Sequence, residues 1–303
     1  MPNTLILPKG YVTALDEVYK LASVTSDLTC DPTMVREGAN VGEILYPQID
    51  VSGLGDYDRN TGYTTGAVSL KWATAKCNYD RGTKICVDVM DDQESEKLAF
   101  SRGGAELMRT KVAPEADAFT FATIAAVEGI SKMEGEDFTD AVQFLEALIE
   151  AKNQMDEDEV PEEGRILYAT PTLMNGVMAL DTTKSREILN CFSIKKKVPQ
   201  SRFYTDIDLL DGKSSGEELG HYKKSAAAAD INFMIIHRPA VMKYDKHVAN
   251  DIIPANLNAD ADADILKYRK YGLVDVYKNK AAGIFLCTKK TASQTDEEEE
   301  VGP

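Results

Sequence analysis

The stretch from Gly53 to Gly66, GLGDYDRNTGYTTG, decides how this chain is read. It separates two strand-like runs, Val41–Val51 (VGEILYPQIDV) and Ala67–Met90 (AVSLKWATAKCNYDRGTKICVDVM). Both runs are rich in β-branched and aromatic residues, and the glycines between them make a wide tip, so the segment reads as a long β-hairpin. A two-stranded ribbon is marginal in water, and one small domain cannot bury both faces of an arm this long. A neighbour must cover it. The arm therefore points to a protein that works by assembling.

Working outward, 303 residues are enough for about two domains and a sizeable core. No apolar run approaches the ~18 residues of a transmembrane helix, and Met1–Gly10 has neither the basic start nor the apolar centre of a signal peptide. A cytosol-like compartment without membrane insertion is the expectation. Cys30, Cys77, Cys86, Cys191 and Cys287 form no CxxC pair and read as reduced, small apolar residues. Net charge is −16, from 34 basic and 50 acidic side chains. That argues against tight nucleic-acid binding, which needs clustered Lys and Arg. It does not argue against standing near DNA, because a container wall that must not hold its contents is better negative. Two acidic runs, Asp156–Glu163 and Asp296–Glu300, read as solvated, the second as a tail. Lys195–Lys197 and Lys223–Lys224, the compact basic clusters, are the expected docking sites for that tail.

Along the chain, Tyr11–Leu21 has helical spacing and reads as one short helix in an N-terminal arm. Asp91–Ile130 reads as a long helical region capped by Asp91 or Asp92 and kinked at Pro114, with Phe119, Ala122, Ala126 and Ile130 on its apolar stripe. Thr139–Asn153 reads as an amphipathic helix with Asp140, Gln143 and Glu150 on the polar face. Thr170–Leu180 reads as a further helix. Strands are expected at Arg165–Ala169, Cys191–Ile194, Ile231–His237, Leu273–Tyr277 and Gly283–Cys287, with Asp206–Asp230 a loop.

Chemical motifs are missing. Asp211–Ser215 (DGKSS) looks like the end of a phosphate-binding loop, but the required earlier glycine is Ile207, so a turn is expected. Asp260, Asp262 and Asp264 alternate like a calcium loop, yet Ile265 and Tyr271 stand where Gly and the bidentate Glu belong. His221, His237 and His247 have no metal-ligand spacing, and no nucleophile elbow exists. No catalytic, cofactor or metal residue is assigned, and no cofactor is expected.

Several stretches together resemble the major capsid proteins of tailed bacteriophages, with the Hong Kong 97-type fold. They are Leu15–Asp27 (LDEVYKLASVTSD), Ser52–Tyr63 (SGLGDYDRNTGY), Asn78–Gly82 (NYDRG), Lys111–Ala122 (KVAPEADAFTFA), Val160–Pro171 (VPEEGRILYATP), Ile231–Val241 (INFMIIHRPAV) and Ala263–Phe285. They occur in the family's order and cover the chain from about Leu15 to Cys287. The resemblance implies an α+β capsid fold: an N-arm over 1–40, an extended loop with peripheral-domain strands over 41–90, and a spine helix with peripheral domain over 91–136. An axial domain over 137–270, a return to the peripheral domain over 271–292 and an acidic tail over 293–303 complete it.

The function implied is a self-assembling icosahedral shell of hexamers and pentamers that encloses double-stranded DNA without binding it specifically, not an enzyme. Its location is the virion, assembled in the host bacterial cytoplasm. A portal and a separate scaffolding protein are the implied partners, since no long charged scaffolding stretch precedes the loop; decoration proteins and a covalent crosslink through Lys71, Lys76 or Lys84 stay open. Leu54, Tyr57, Arg59, Tyr63, Trp72 and Arg81 are the expected intersubunit contacts. For the two arginines the alternative is a turn cap within the loop, through Asp58 and Asp80. The rival readings are an encapsulin-like nanocompartment shell around a protein cargo and an ordinary acidic enzyme.

Overall fold

The computed structural model describes residues 23–30, 36–37, 42–94 and 98–290. The Tyr11–Leu21 helix and the acidic tail lie outside the described residues. In chain order the strands are β1 (Arg36–Glu37), β2 (Glu43–Val51), β3 (Val68–Lys76), β4 (Tyr79–Asp88), β5 (Ser131–Met133), β6 (Arg165–Ala169) and β7 (Ile194–Lys197). There follow β8 (Ile207–Leu209), β9 (Tyr222–Lys224), β10 (Ile231–His237), β11 (Val241–Ile253), β12 (Ala263–Val276) and β13 (Ile284–Thr288). The helices are α1 (Val89–Glu94), α2 (Leu98–Leu107), α3 (Ala113–Ala125), α4 (Ala141–Glu157), α5 (Pro171–Leu180) and α6 (Thr183–Asn190).

The central layer is a mixed sheet of order β5-β13-β10-β6-β7. Strands β6, β10 and β13 are predominantly apolar because both of their faces are covered. Residue alternation then divides the core in two. Leu167, Phe233, Ile235 and Phe285 point to α4, α5 and α6, where Phe144, Leu148, Met155, Met174 and Val177 meet them. Tyr168, Met234, Ile236 and Leu286 point the other way, to Phe121 and Ile124 of α3, Leu28 and Phe203. A second sheet, β11-β12-β4, is built on the long β11–β12 hairpin, which pairs Val241 with Val276 and Ile253 with Ile265 across a bulge at Asp245/His247.

Several expectations are corrected. The second arm of the hairpin divides at Cys77–Asn78: β3 pairs with β2, whereas β4 leaves to pair with β12. The expected helical region begins at Val89, where the Asp88 carboxylate accepts the Met90 N–H at 2.9 Å, so Asp91 and Asp92 lie inside α1. Its last segment, α3, ends at Ala125. A π turn at Met108–Val112 precedes α3 and absorbs the steric demand and missing N–H of Pro114. α3 is buried nearly all round, through Ala118, Phe121, Ile124 and Ala125 rather than Ala126. Asp140 is the cap of α4, accepting the Val142 N–H, not a residue of its polar face.

Cys191–Ile194 is not a strand. Helix α6 runs to Asn190 behind a capping box in which Ser185 and Thr182 bond reciprocally, and β7 starts only at Ile194. β11 and most of β12 belong with β4, while β13 returns to β10. The Asp206–Asp230 loop contains the small β8–β9 hairpin, and Asp211 makes the expected turn by accepting the Lys213 and Ser214 N–H groups at 2.7 and 2.8 Å.

Candidate assembly surface

The β2–β3 hairpin has two unlike faces. Its antiparallel register sets Val51 opposite Val68, Ile49 opposite Leu70 and Pro47 opposite Trp72, and these six share one face. All six are exposed. The other face carries Ile44, Tyr46 and Ala75 at its base, buried against Met242 and Leu273, with Tyr46 edge-on to Tyr277 at 5.2 Å. Toward the tip that same face becomes polar, with Gln48, Asp50, Ser69 and Lys71. The arm is therefore rooted on one side and presents a contiguous apolar ribbon on the side away from its root. Ribbons of this kind mark sites where another chain docks.

At the tip, the Ser52 N–H donates to the Ala67 carbonyl at 3.0 Å, and the Ala67 N–H to Ser52 Oγ at 2.7 Å, closing the strand ends. A tight turn follows, with Asp58 Oδ1 accepting the Asn60 N–H at 2.6 Å and Gly62 at φ +84°. Tyr57 and Tyr63 meet edge-to-face at 4.8 Å across this turn. Leu54 is fully exposed, Arg59 stands exposed at the apex, and Trp72 is half exposed on the apolar ribbon. Five of the six anticipated contact residues thus lie on one projecting arm.

Arg81, the sixth, lies on β4 and not on the arm. Its Nε donates to Glu115 Oε1 at 2.7 Å, and its Nη2 donates to Glu115 Oε2 and to the His221 carbonyl. Asp80, its supposed turn partner, binds Arg269 instead at 2.8 and 2.9 Å. Burial disfavours the Glu115 charge, but the contacts from His221 and Arg81 outweigh it and hold the carboxyl below its ordinary range. Arg81 thus ties β4 to α3 and to the loop after β8, and its guanidinium is engaged within its own chain.

A second buried polar cluster fastens the segment 23–30, and no motif announced it. Asp117 of α3 is fully buried and accepts from the Val24 N–H at 3.0 Å, Thr25 Oγ1 at 2.7 Å and Arg202 Nη1 at 2.9 Å. Lys243 of β11 donates to the Thr25 carbonyl and hydroxyl at 3.1 and 2.7 Å. Burial pushes the Lys243 pKa down to about 8. Together these groups place the entry of the N-terminal segment between α3, β11 and the central sheet. Among the described residues no group of three or more His, Cys, Asp or Glu side chains is placed to hold a metal ion, and no helix is long and apolar enough to cross a membrane.

No protein-family model matches the chain, and no curated protein sequence does. Solved structures do match over nearly its whole length. The mature capsid of bacteriophage PhiM1 superposes with a TM-score of 0.63 at 14% identity, covering 94% of this chain and 93% of its own. The chain has the fold of a bacteriophage capsid subunit. The capsid of cyanophage P-SCSP1u gives 0.60 at 14% identity over 94% and 93% of the two chains. That of Myoviridae phage XM1 gives 0.56 at 8% identity over 95% and 100%.

Proposed function

We propose that this chain is the major capsid protein of a tailed bacteriophage, a structural rather than catalytic subunit that assembles into the icosahedral shell around double-stranded DNA. The observation that carries the proposal is the apolar ribbon on a capsid-fold arm: Pro47, Ile49, Val51, Val68, Leu70 and Trp72 all exposed on one face. Fully burying side chains of this size contributes roughly 1.5–3 kcal/mol each, at about 25 cal/mol per Å². Part of that is offset by the cost of associating and of ordering the tip. A neighbouring subunit lying under the arm would realise this burial, and a closed shell repeats it at every subunit.

The charge of −16 per chain suits a wall that faces nucleic acid without adhering to it. It also makes the subunits repel one another, so assembly is favoured by salt that screens them. Hexamers and pentamers of this chain, a portal and a separate scaffolding protein in the host cytoplasm are the assembly partners this reading implies.

Expression of the chain alone and with its genomic neighbours, followed by electron microscopy, tests the proposal. Large heads that fill with DNA support it. Small shells around a protein cargo, or a stable monomer that turns over a small substrate, refute it.

A further inference from the structure

A cleft of about 370 Å³ opens between β4, the π turn before α3 and the glycine-rich loop joining β8 to β9. Its wall carries four cations, Arg81, Lys84, Lys111 and Lys213, against three carboxylates, Glu115, Asp211 and Glu218. The carboxylates there are already engaged: Glu115 by Arg81, Asp211 by the N–H groups and hydroxyl of its own turn, and Glu218 by the Gly216 N–H at 3.1 Å. The cations Lys84, Lys111 and Lys213 are exposed and form no ion pair or side-chain hydrogen bond among the described residues. In a chain of net charge −16, three such ammonium groups around one cleft mark a place for an anion.

We infer that this cleft receives the chain's own acidic run, Asp296–Glu300. Charge complementarity is the first argument, since five consecutive carboxylates are the densest acidic run in the sequence. Reach is the second. The last described strand ends beside Asp230, whose carbonyl accepts the Lys289 N–H at 2.8 Å. From there the ladder through Tyr204–Asp230, Ile207–Lys224 and Leu209–Tyr222 runs to the cleft, where the Leu210 N–H donates to the His221 carbonyl. Six residues of ladder span about 20 Å. The six residues from Thr291 to Asp296 span about the same distance when extended.

The third argument is the loss of the competing sites. Lys195 and Lys197 bond the Leu189 carbonyl and Asn175, Lys196 pairs with Asp27, and Lys223 and Lys224 pair with Asp208 and Asp230. The basic clusters that sequence alone singles out for the tail are thus satisfied by other groups. The tip of the hairpin is a poorer occupant, because Arg59 adjoins Asp56 and Asp58 there.

Zero-length carbodiimide coupling of the full chain as dissociated subunits, read by peptide mass spectrometry, tests the assignment. It needs no shell, so its failure is distinct from failure of the capsid reading. The expected result is isopeptide bonds from Glu297–Glu300 to Lys84, Lys111 or Lys213. Coupling to Lys84 should fall at least fivefold in the Lys111→Gln/Lys213→Gln variant and in 0.5 M salt, where screening is nearly complete beyond a few ångströms. Coupling directed to Lys195–Lys197 or Lys223–Lys224, coupling from Asp56 or Asp58 in its place, or no tail coupling would overturn it. So would bonds between heavy- and light-isotope chains in a mixed sample, which would show the run crossing to another copy.

Discussion

Ile49 and Leu70 stand directly opposite each other in the β2–β3 ladder, and their side chains are 60% and 55% exposed. Cross-strand apolar pairs normally stabilise a sheet by sealing one of its faces. This pair seals nothing in its own chain. Replacing both with serine should therefore leave the unfolding free energy of the isolated subunit within about 0.5 kcal/mol of the parent, as for surface substitutions in general. Assembly should weaken by several kcal/mol of lost interface per subunit, at ~25 cal/mol per Å². Calorimetry on subunits and sedimentation of assembled particles separate the two effects. A large loss of subunit stability with normal particles would show that the ribbon serves the fold and not the shell.

Arg202 and Asp117 form a buried ion pair at 2.9 Å, with both side chains closed to solvent. Asp117→Ala would take the carboxylate away from the buried guanidinium and remove the acceptor for Thr25 and Val24. Breaking one partner of such a pair typically costs about 3–5 kcal/mol. Denaturant unfolding should show that loss, and limited proteolysis should cut earlier around Ser23–Cys30. The double variant Asp117→Asn/Arg202→Met should recover part of the stability without recovering protease resistance. If Asp117→Ala unfolds at the parent midpoint, the cluster does not fasten the segment.

Lys243 sets a pH dependence with a definite sign. Its ammonium is taken out of water, and its folded pKa of about 8 lies below the ordinary 10.5. Between these two values the unfolded chain holds a proton that the folded chain has released. Stability consequently rises with pH across that window, and below pH 8 the cost of burying the charge is fully present. A shift of this size is equivalent to about 3 kcal/mol at most. Lys243→Met removes the titration while leaving Thr25 without its donor. The difference in unfolding free energy between parent and variant should grow between pH 8 and 10 in favour of the parent. A constant difference would mean that Lys243 is solvated.

The elements legible in the sequence are those whose burial leaves a simple pattern. Arg165–Ala169 and Ile231–His237 are mostly apolar because both faces of the central sheet are covered, and their bounds follow from the sequence. The hairpin tip was legible through its glycines. β11 was not, because an exposed edge strand such as VMKYDKHVANDII carries charges where a core strand would not. The split between β3 and β4 was hidden because one strand-like composition serves two sheets. Asp117 and Arg81 were unreadable for a different reason. An acid near the start of a helix and an arginine in a strand have identical local sequence signals whether they face water or another element. Only the fold brings Arg202 to the first and Glu115 to the second.

The tip offers the cleanest separation of folding from assembly. Residues Gly55–Gly62 lie beyond the Ser52–Ala67 closure, and the Asp58 turn satisfies its polar groups locally. Deleting them joins Leu54 to Tyr63 and leaves a short loop between strand ends that are already bonded, a connection hairpins accept readily. The base of the arm, with Ile44, Tyr46 and Ala75 in contact with Met242 and Leu273, is untouched. The shortened chain should therefore keep the parent's circular dichroism, and an unfolding free energy within about 0.5 kcal/mol of the parent's, as for other changes away from buried contacts. It should nonetheless lose the Tyr57–Tyr63 contact and most of the reach of the arm, and its particle yield should fall at least tenfold when measured by sedimentation and microscopy. Normal, stable particles from this deletion would place the clasp on the strands alone, and then the Ile49/Leu70 variant, not the deletion, should be the one that fails to assemble.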